Sequence, residues 1–291
     1  MNAFWRTVRT LHRVGQPLWR IRLGSKTLFS YVGALLWKVG LPPKELELKF
    51  GCRIVFPAHY NAILDYADGI YQPERSVTEL VLKILKPGNV AVDVGAHVGY
   101  YTLLFRRLVG TYGRVYAFEP SPEFFNVLVK NLIVNSFTDV VAVQAAVADC
   151  CGNKGFYHVL GGGSSLYKRM DGANMISVRV TTLDTFFSQL NWPKIDLVKM
   201  DIEGAEYAAL KGAKELVRRN DSLNMLVELN PSTLEAAGVT PREFLELLME
   251  MGFRQIQVVE WNCYSIFDME LDWLIDEVYC KGSVNLWCRK S

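Results

Sequence analysis

What this chain lacks narrows its class before anything it contains does. No stretch reaches the about eighteen uninterrupted apolar residues needed to cross a bilayer. The longest candidate, Leu28 to Leu41, is too short and is broken by Lys38. The early arginines are scattered through the apolar positions instead of preceding them, so the start does not read as a secretion signal. Six cysteines (Cys52, Cys150, Cys151, Cys263, Cys280 and Cys288) form no C-x-x-C pair and have no interleaved histidine spacing, which predicts neither a zinc site nor a disulfide framework. A reducing, cytoplasmic compartment is the expectation. Acid is missing altogether from residues 1 to 44, which carry eight Lys or Arg before the first carboxylate at Glu45. The rest of the chain then holds 24 basic against 30 acidic residues, a net-negative body that excludes a general nucleic-acid-binding surface.

The 291 residues, half of them apolar, are enough for one large domain with an extension. Residues 1–44 read as a basic helical extension and 45–291 as the main domain, with 45–75 a hairpin and lead-in and 76–291 the core. On a helical wheel Phe4, Trp5, Val8 and Leu11 share one face while Arg6, Arg9 and Arg13 share another. Such a helix can pack on the domain. It can also lie peripherally on the inner face of a membrane, each basic residue near an anionic surface contributing about 1 kcal/mol. Nothing in the sequence signals an oligomeric state.

Along the main domain, Glu45 to Pro57 predicts a hairpin turning at Gly51, and Glu74 to Leu85 a helix stopped by Lys86-Pro87-Gly88. Short apolar runs predict buried strands at Val90–Val94, Arg114–Phe118, Val140–Val147, Ile195–Met200, Leu223–Leu229 and Gln255–Val259, with a closing strand at Ser283–Arg289. Helices are expected at Tyr100–Val109, from Pro122 to about Asn135 with Ser121 as cap, at Leu183–Leu190, opening over Asp201–Glu206 with Glu203 and Glu206 at its start, and at Pro241–Met251 with Thr240 as cap. Gly155–Leu160 and Met175–Thr182 look like a hairpin around Gly161 to Ser165. Alternating strands and helices mean an α/β fold with a largely parallel sheet.

The segment after the first core strand carries the chemistry. Asp93-x-Gly95-x-x-x-Gly99 is a turn whose glycines let the backbone pass close to a ligand, and Glu119 arrives at the end of the next strand, where an acid can take both hydroxyls of a ribose. A dinucleotide fingerprint would read G-x-G-x-x-G. Here a carboxylate precedes the first glycine instead. It would repel a pyrophosphate but can hold the ammonium of an amino-acid moiety, which suits S-adenosylmethionine better than a nicotinamide dinucleotide. A second constellation is Asp201, Glu203 and Glu206, where a strand ends and a helix begins. Asp201 is placed to accept a proton, to hydrogen-bond a substrate, or to bind a divalent cation together with Glu228, although no metal is predicted. Glu203 and Glu206 also suit a helix N-terminus. His97 is an alternative base.

Three elements, VDVGAHVGYY at 92–101, FEPSP at 118–122 and KMDIEGAE at 199–206, together resemble the FkbM family of S-adenosylmethionine-dependent methyltransferases. GGGSSL at 161–166 and TTLDTF at 181–186 also look like family features, and the resemblance spans roughly residues 45–290. It implies a class I methyltransferase fold: a Rossmann-like, seven-stranded, mostly parallel sheet with its last strand antiparallel and helices on both faces. It further implies methyl transfer to a hydroxyl of a sugar, lipid or secondary metabolite. By the same likeness Asp93, Gly95 and Gly99 form the cofactor loop, lined by His97 and Tyr100. Glu119 is the ribose acid with Ser121 beside it, and Ala146 and Val147 lie near the adenine. The chain has no Asp at that last place, Asp149 being the nearest. Asp201, Glu203 and His97 are the catalytic candidates, and Asp201 also borders the cofactor. Two other readings of the residues are a nicotinamide-dependent oxidoreductase and a non-catalytic, methyltransferase-like module held at a membrane.

Overall fold

A computed structural model describes residues 46–57, 75–158, 164–167, 174–260 and 271–290, together with the backbone of 22–23, 26–27 and 264–265. Apart from a two-residue antiparallel pairing of Arg22–Leu23 with Lys26–Thr27, the basic extension lies outside the described residues. So do Gly161 to Gly163 and most of the connections at 58–74 and 261–270.

The strands of the main sheet are β1 (Val90–Val94), β2 (Arg114–Phe118), β3 (Val141–Val143), β4 (Leu197–Met200), β5 (Asn224–Leu229), β6 (Gln255–Val258) and β7 (Val284–Arg289). The sheet runs β6-β7-β5-β4-β1-β2-β3, and Tyr264–Ser265 adds a short eighth strand beside β6. Strands β1 to β5 pair in parallel, whereas β7 is antiparallel to both neighbours, β5 and β6. This is the class I methyltransferase order that the resemblance implies. The order reverses between β1 and β4, so a crevice opens beyond their carboxyl ends, where open parallel sheets bind ligands.

Helices cover both faces, as buried strands of this kind require. Ala91, Val115, Ala117, Leu197 and Leu226 face a layer that includes α1 (Arg75–Ile84), α2 (Tyr100–Val109) and α3 (Pro122–Val134). Alternate residues, among them Val92, Val94, Phe118, Val198, Met200 and Val227, face the other layer. That layer holds α4 (Leu183–Ser188), α5 (Glu206–Lys211), α6 (Lys214–Arg219), α7 (Pro231–Ala236), α8 (Pro241–Glu250) and α9 (Leu271–Lys281). The caps read from sequence are in place. Ser121 Oγ accepts from the Phe124 amide, and Thr240 closes a capping box with Glu243 below Pro241.

One expected strand is divided. The apolar run predicts one continuous strand over Val140–Val147, but the chain bends at Gln144–Ala145, where the Ala145 amide returns to the Val143 carbonyl at 3.0 Å. Val141–Val143 stays in the main sheet. Ala146–Val147 leaves it to pair in parallel with Asn174–Thr181, whose other edge pairs with Gly152–His158. An apolar run carries no mark of which sheet it joins.

The N-terminal hairpin is held by side chains. Leu46–Glu47 and Arg53–Ile54 make only a two-residue ladder. Asn131 on α3 and Asn135, the residue that caps the end of that helix, complete it. Asn131 accepts from the Val55 amide at 2.6 Å and donates to the Val55 and Val98 carbonyls at 2.9 and 2.7 Å. Asn135 accepts from the Arg53 amide at 2.7 Å and donates to its carbonyl at 2.6 Å. The two amides thus serve residues 53–55 as a neighbouring strand would. Asn131→Ala strips three hydrogen bonds from a fully buried site and is expected to cost roughly 2 to 4 kcal/mol in urea unfolding. An unchanged unfolding midpoint would show that the hairpin is held by its apolar contacts instead.

Candidate active site at the carboxyl edge of the sheet

A cavity of about 350 Å³ lies beyond the carboxyl ends of β1, β2 and β4, within the size range of small-molecule sites. Its shape follows from how the turn after β1 is tied down. The amides of Gly95 and Ala96 both donate to the Phe118 carbonyl, at 3.0 and 2.9 Å, binding the turn to the end of β2. On the other side the turn presses against β4. A Cβ on Gly95 would stand 2.0 Å from the Asp201 carbonyl oxygen, and the backbone there has φ +86°, so no side chain fits.

Glu119 is buried at the end of β2. One carboxylate oxygen accepts from the His97 amide and the other from the Ser121 amide, each at 2.8 Å. Burial pushes its pKa up to about 7, against the pull of those two amides. At the end of β1, Asp93 accepts from the Thr102 hydroxyl on α2 at 2.5 Å. Burial raises Asp93 to about 6, with the Lys199 charge opposing and the Asp201 charge reinforcing that rise. Lys199 itself donates to Asp201 at 3.0 Å and lies over the Tyr101 ring, 4.5 Å from its centroid.

Most of the residues expected at the site do meet there. Asp93, Gly95, His97, Tyr100, Glu119, Ala146, Val147, Asp201 and Glu203 all line the cavity. Gly99 and Ser121 stand behind the lining. Gly99 begins α2 in a left-handed conformation, where a Cβ would strike Leu128, and Ser121 caps α3. Glu206 is a structural residue. Its carboxylate accepts from the amides of Ile202 and Gly204, each at 2.8 Å, and so closes the loop between β4 and α5. Asp149 is engaged elsewhere, by Lys154 at 3.8 Å and Lys211 at 3.6 Å.

His97 makes a poor base. Its ring packs on Phe124 with centroids 3.9 Å apart, and burial lowers its pKa to about 4, so at neutral pH it is an uncharged wall. Among the described residues no group of three or more His, Cys, Asp or Glu is arranged to hold a metal ion. Asp201 has an ammonium partner, while Glu228 is not in the cavity lining. Ser164 and Leu166, from the GGGSSL segment, also line the cavity, while Lys199, Tyr101 and Phe124 are lining residues that sequence reasoning missed. The signal for Lys199 was a single charge within the apolar strand Leu197–Met200.

The model of the methyltransferase FkbM domain matches residues 93–255, from Asp93 through β6. The chain belongs to the FkbM methyltransferase family. Relatives include the methyltransferase sdnD of Sordaria araneosa, 29% identical over 56% of this chain and 72% of that protein. The hexuronic acid methyltransferase AglP of Haloferax volcanii is 27% identical over 61% of this chain and 68% of its own length. The 2-O-methyltransferase NoeI of Sinorhizobium fredii is 25% identical over 63% and 82% respectively. This FkbM-family protein is an S-adenosylmethionine-dependent methyltransferase, and the oxidoreductase and non-catalytic readings find no support. Among its described residues no helix is long and apolar enough to cross a membrane.

The buried acids make stability depend on pH in a definite direction. Burial, joined by the charges of Asp201, Glu206 and Glu203, raises Glu228 to about 9, and Glu206 rises to about 7 through burial. A carboxyl whose folded value exceeds its unfolded one adds stability below the unfolded value and loses it as pH climbs through the folded value. His97 acts in the opposite sense, but only below its ordinary value of 6.5. Between pH 7 and 9 the cofactor-free protein should therefore lose stability by roughly 1 to 2 kcal/mol per pH unit in urea unfolding. Glu228→Gln should flatten that slope, and a wild-type slope of zero would contradict the burial of this carboxyl.

Proposed function

We propose that the cavity binds S-adenosylmethionine along the ends of β1 and β2 and orients a hydroxyl of a small-molecule or glycan acceptor near the end of β4. The observation that carries this reading is that Asp93, Glu119 and Asp201, delivered by three adjacent parallel strands, border one cavity. The family match and relatives named for methylation of a hexuronic acid and of a 2-hydroxyl favour an oxygen acceptor. The bound cofactor would supply an electrophilic sulfonium methyl.

In this reading Glu119, fixed by two backbone amides, keeps lone pairs for the ribose hydroxyls. The small side chains of Ala146 and Val147 leave room for a flat base. Asp93 faces the ammonium of the methionyl arm. Asp201 would accept the proton of the acceptor hydroxyl, and the cofactor, once bound, would supply the methyl and leave as a neutral thioether. Alignment contributes most, because holding reactants in line can lower a barrier by about 7 to 11 kcal/mol. A base adds a factor of about 10² to 10⁴.

The test combines calorimetry with turnover. S-adenosylmethionine should bind the wild type and fail to bind Asp93→Ala. Asp201→Asn should keep cofactor affinity while lowering kcat by about 10² to 10⁴ on an acceptor found by screening hydroxylated glycans and metabolites with a labelled methyl donor. Unchanged affinity in Asp93→Ala would refute the cofactor placement, and unchanged kcat in Asp201→Asn would remove that residue from the chemistry.

A further inference from the structure

Among the described residues, Lys199 is the only Lys or Arg in the cavity lining. It sits in the middle of the sheet, on a strand otherwise made of apolar side chains, and is 3% exposed. A buried ammonium is costly unless it is matched. In the parallel register of β4 and β1, Lys199 stands opposite Asp93, so the two side chains leave the sheet on the same face. Two residues further along β4 its ammonium reaches Asp201, and beneath it lies Tyr101. One cation therefore serves two acids from neighbouring strands. The other titratable groups facing the array are His97 in the turn, Tyr100 on α2, Glu119 at the end of β2, Glu203 and Glu206 after β4, and Glu228 on β5.

We propose that Lys199 is a positioning residue for the cofactor: by balancing Asp93 against Asp201 it keeps the Asp93 carboxylate charged and aimed at the ammonium of the methionyl arm. The inference rests on the cofactor placement given above and assigns the work to a residue that need not itself touch the methyl or the acceptor. The charges are consistent with it. Two carboxylates and one ammonium sum to a single negative charge, and S-adenosylmethionine, with its sulfonium, ammonium and carboxylate, carries a single positive one. Without Lys199, the buried Asp93 would face the partly exposed Asp201 with no cation between them, and repulsion would favour proton uptake by Asp93. Asp93 is already raised by burial and by Asp201, and only Lys199 and the Thr102 hydrogen bonds oppose that rise.

The experiment compares two ligands by calorimetry near pH 7: S-adenosylmethionine, and 5′-methylthioadenosine, which has the nucleoside and thioether but no amino-acid arm. Lys199→Met should weaken the first by roughly tenfold or more, the effect of one pKa unit, and leave the second unchanged. Lys199→Arg, which keeps the charge, should restore most of the loss. If Lys199→Met does not fold, as judged by circular dichroism, Lys199→Gln serves in the same comparison. Equal losses for both ligands would reduce Lys199 to a structural role, and unchanged or tighter binding of S-adenosylmethionine would make it a bystander or a competitor; either result overturns the proposal. Wild-type protein that binds neither ligand would refute the cofactor placement itself, a failure distinct from the other two.

Discussion

The parallel pairing of β1 with β4 is the contact on which the site depends. It sets Lys199 beside Asp93 and brings the turn after β1 onto the Asp201 carbonyl, just past the end of β4. That approach is possible only with glycine at position 95. It leaves no space for a side chain between the turn and the strand, and the cavity takes its floor from the joint. Displacing β4 along β1 by a single residue would turn Lys199 to the apolar layer containing Val198 and Met200, and the charge array would be lost.

The site also shows how acids can be concentrated at a sheet edge without unfolding it. Glu119 and Glu206 each take two backbone amides, so what they bring to the edge is partly cancelled by peptide dipoles already there. Asp93 and Asp201 have a lysine instead. Glu228 takes part in neither arrangement and is raised the most of these carboxyls, up to about 9. Glu206, turned back on its own loop, stays out of the cavity, whereas Glu119, Asp93 and Asp201 line it.

Much of this was legible in the sequence because it rested on local rules. Apolar runs marked the strands, Ser121 and Thr240 marked helix starts, and Asp93, Glu119 and Asp201 each fell where a strand gave way to a loop. What was not legible needed distance in the chain. The bend that divides 140–147 depends on which sheet has a free edge. Glu206, three residues from Glu203 on the chain, could not be told from a site residue until its carboxylate was seen to turn back on the loop. His97 looked like a base because its residue type invites that reading, yet its behaviour is set by Phe124, which arrives from α3. Lys199 was visible as an anomaly in an apolar run, but its partner Asp93 lies on another strand.

Asn131 reaches in two directions, to Val55 in the N-terminal hairpin and to Val98 in the turn that borders the cavity. The domain consequently begins, in folding terms, well ahead of its first core strand. A fragment trimmed to start at α1 would keep every residue of the central sheet and every acid at its edge. It would nonetheless leave the carboxamide at position 131 without two of its three partners, on the helix that also holds Val98 in the turn beside the cavity.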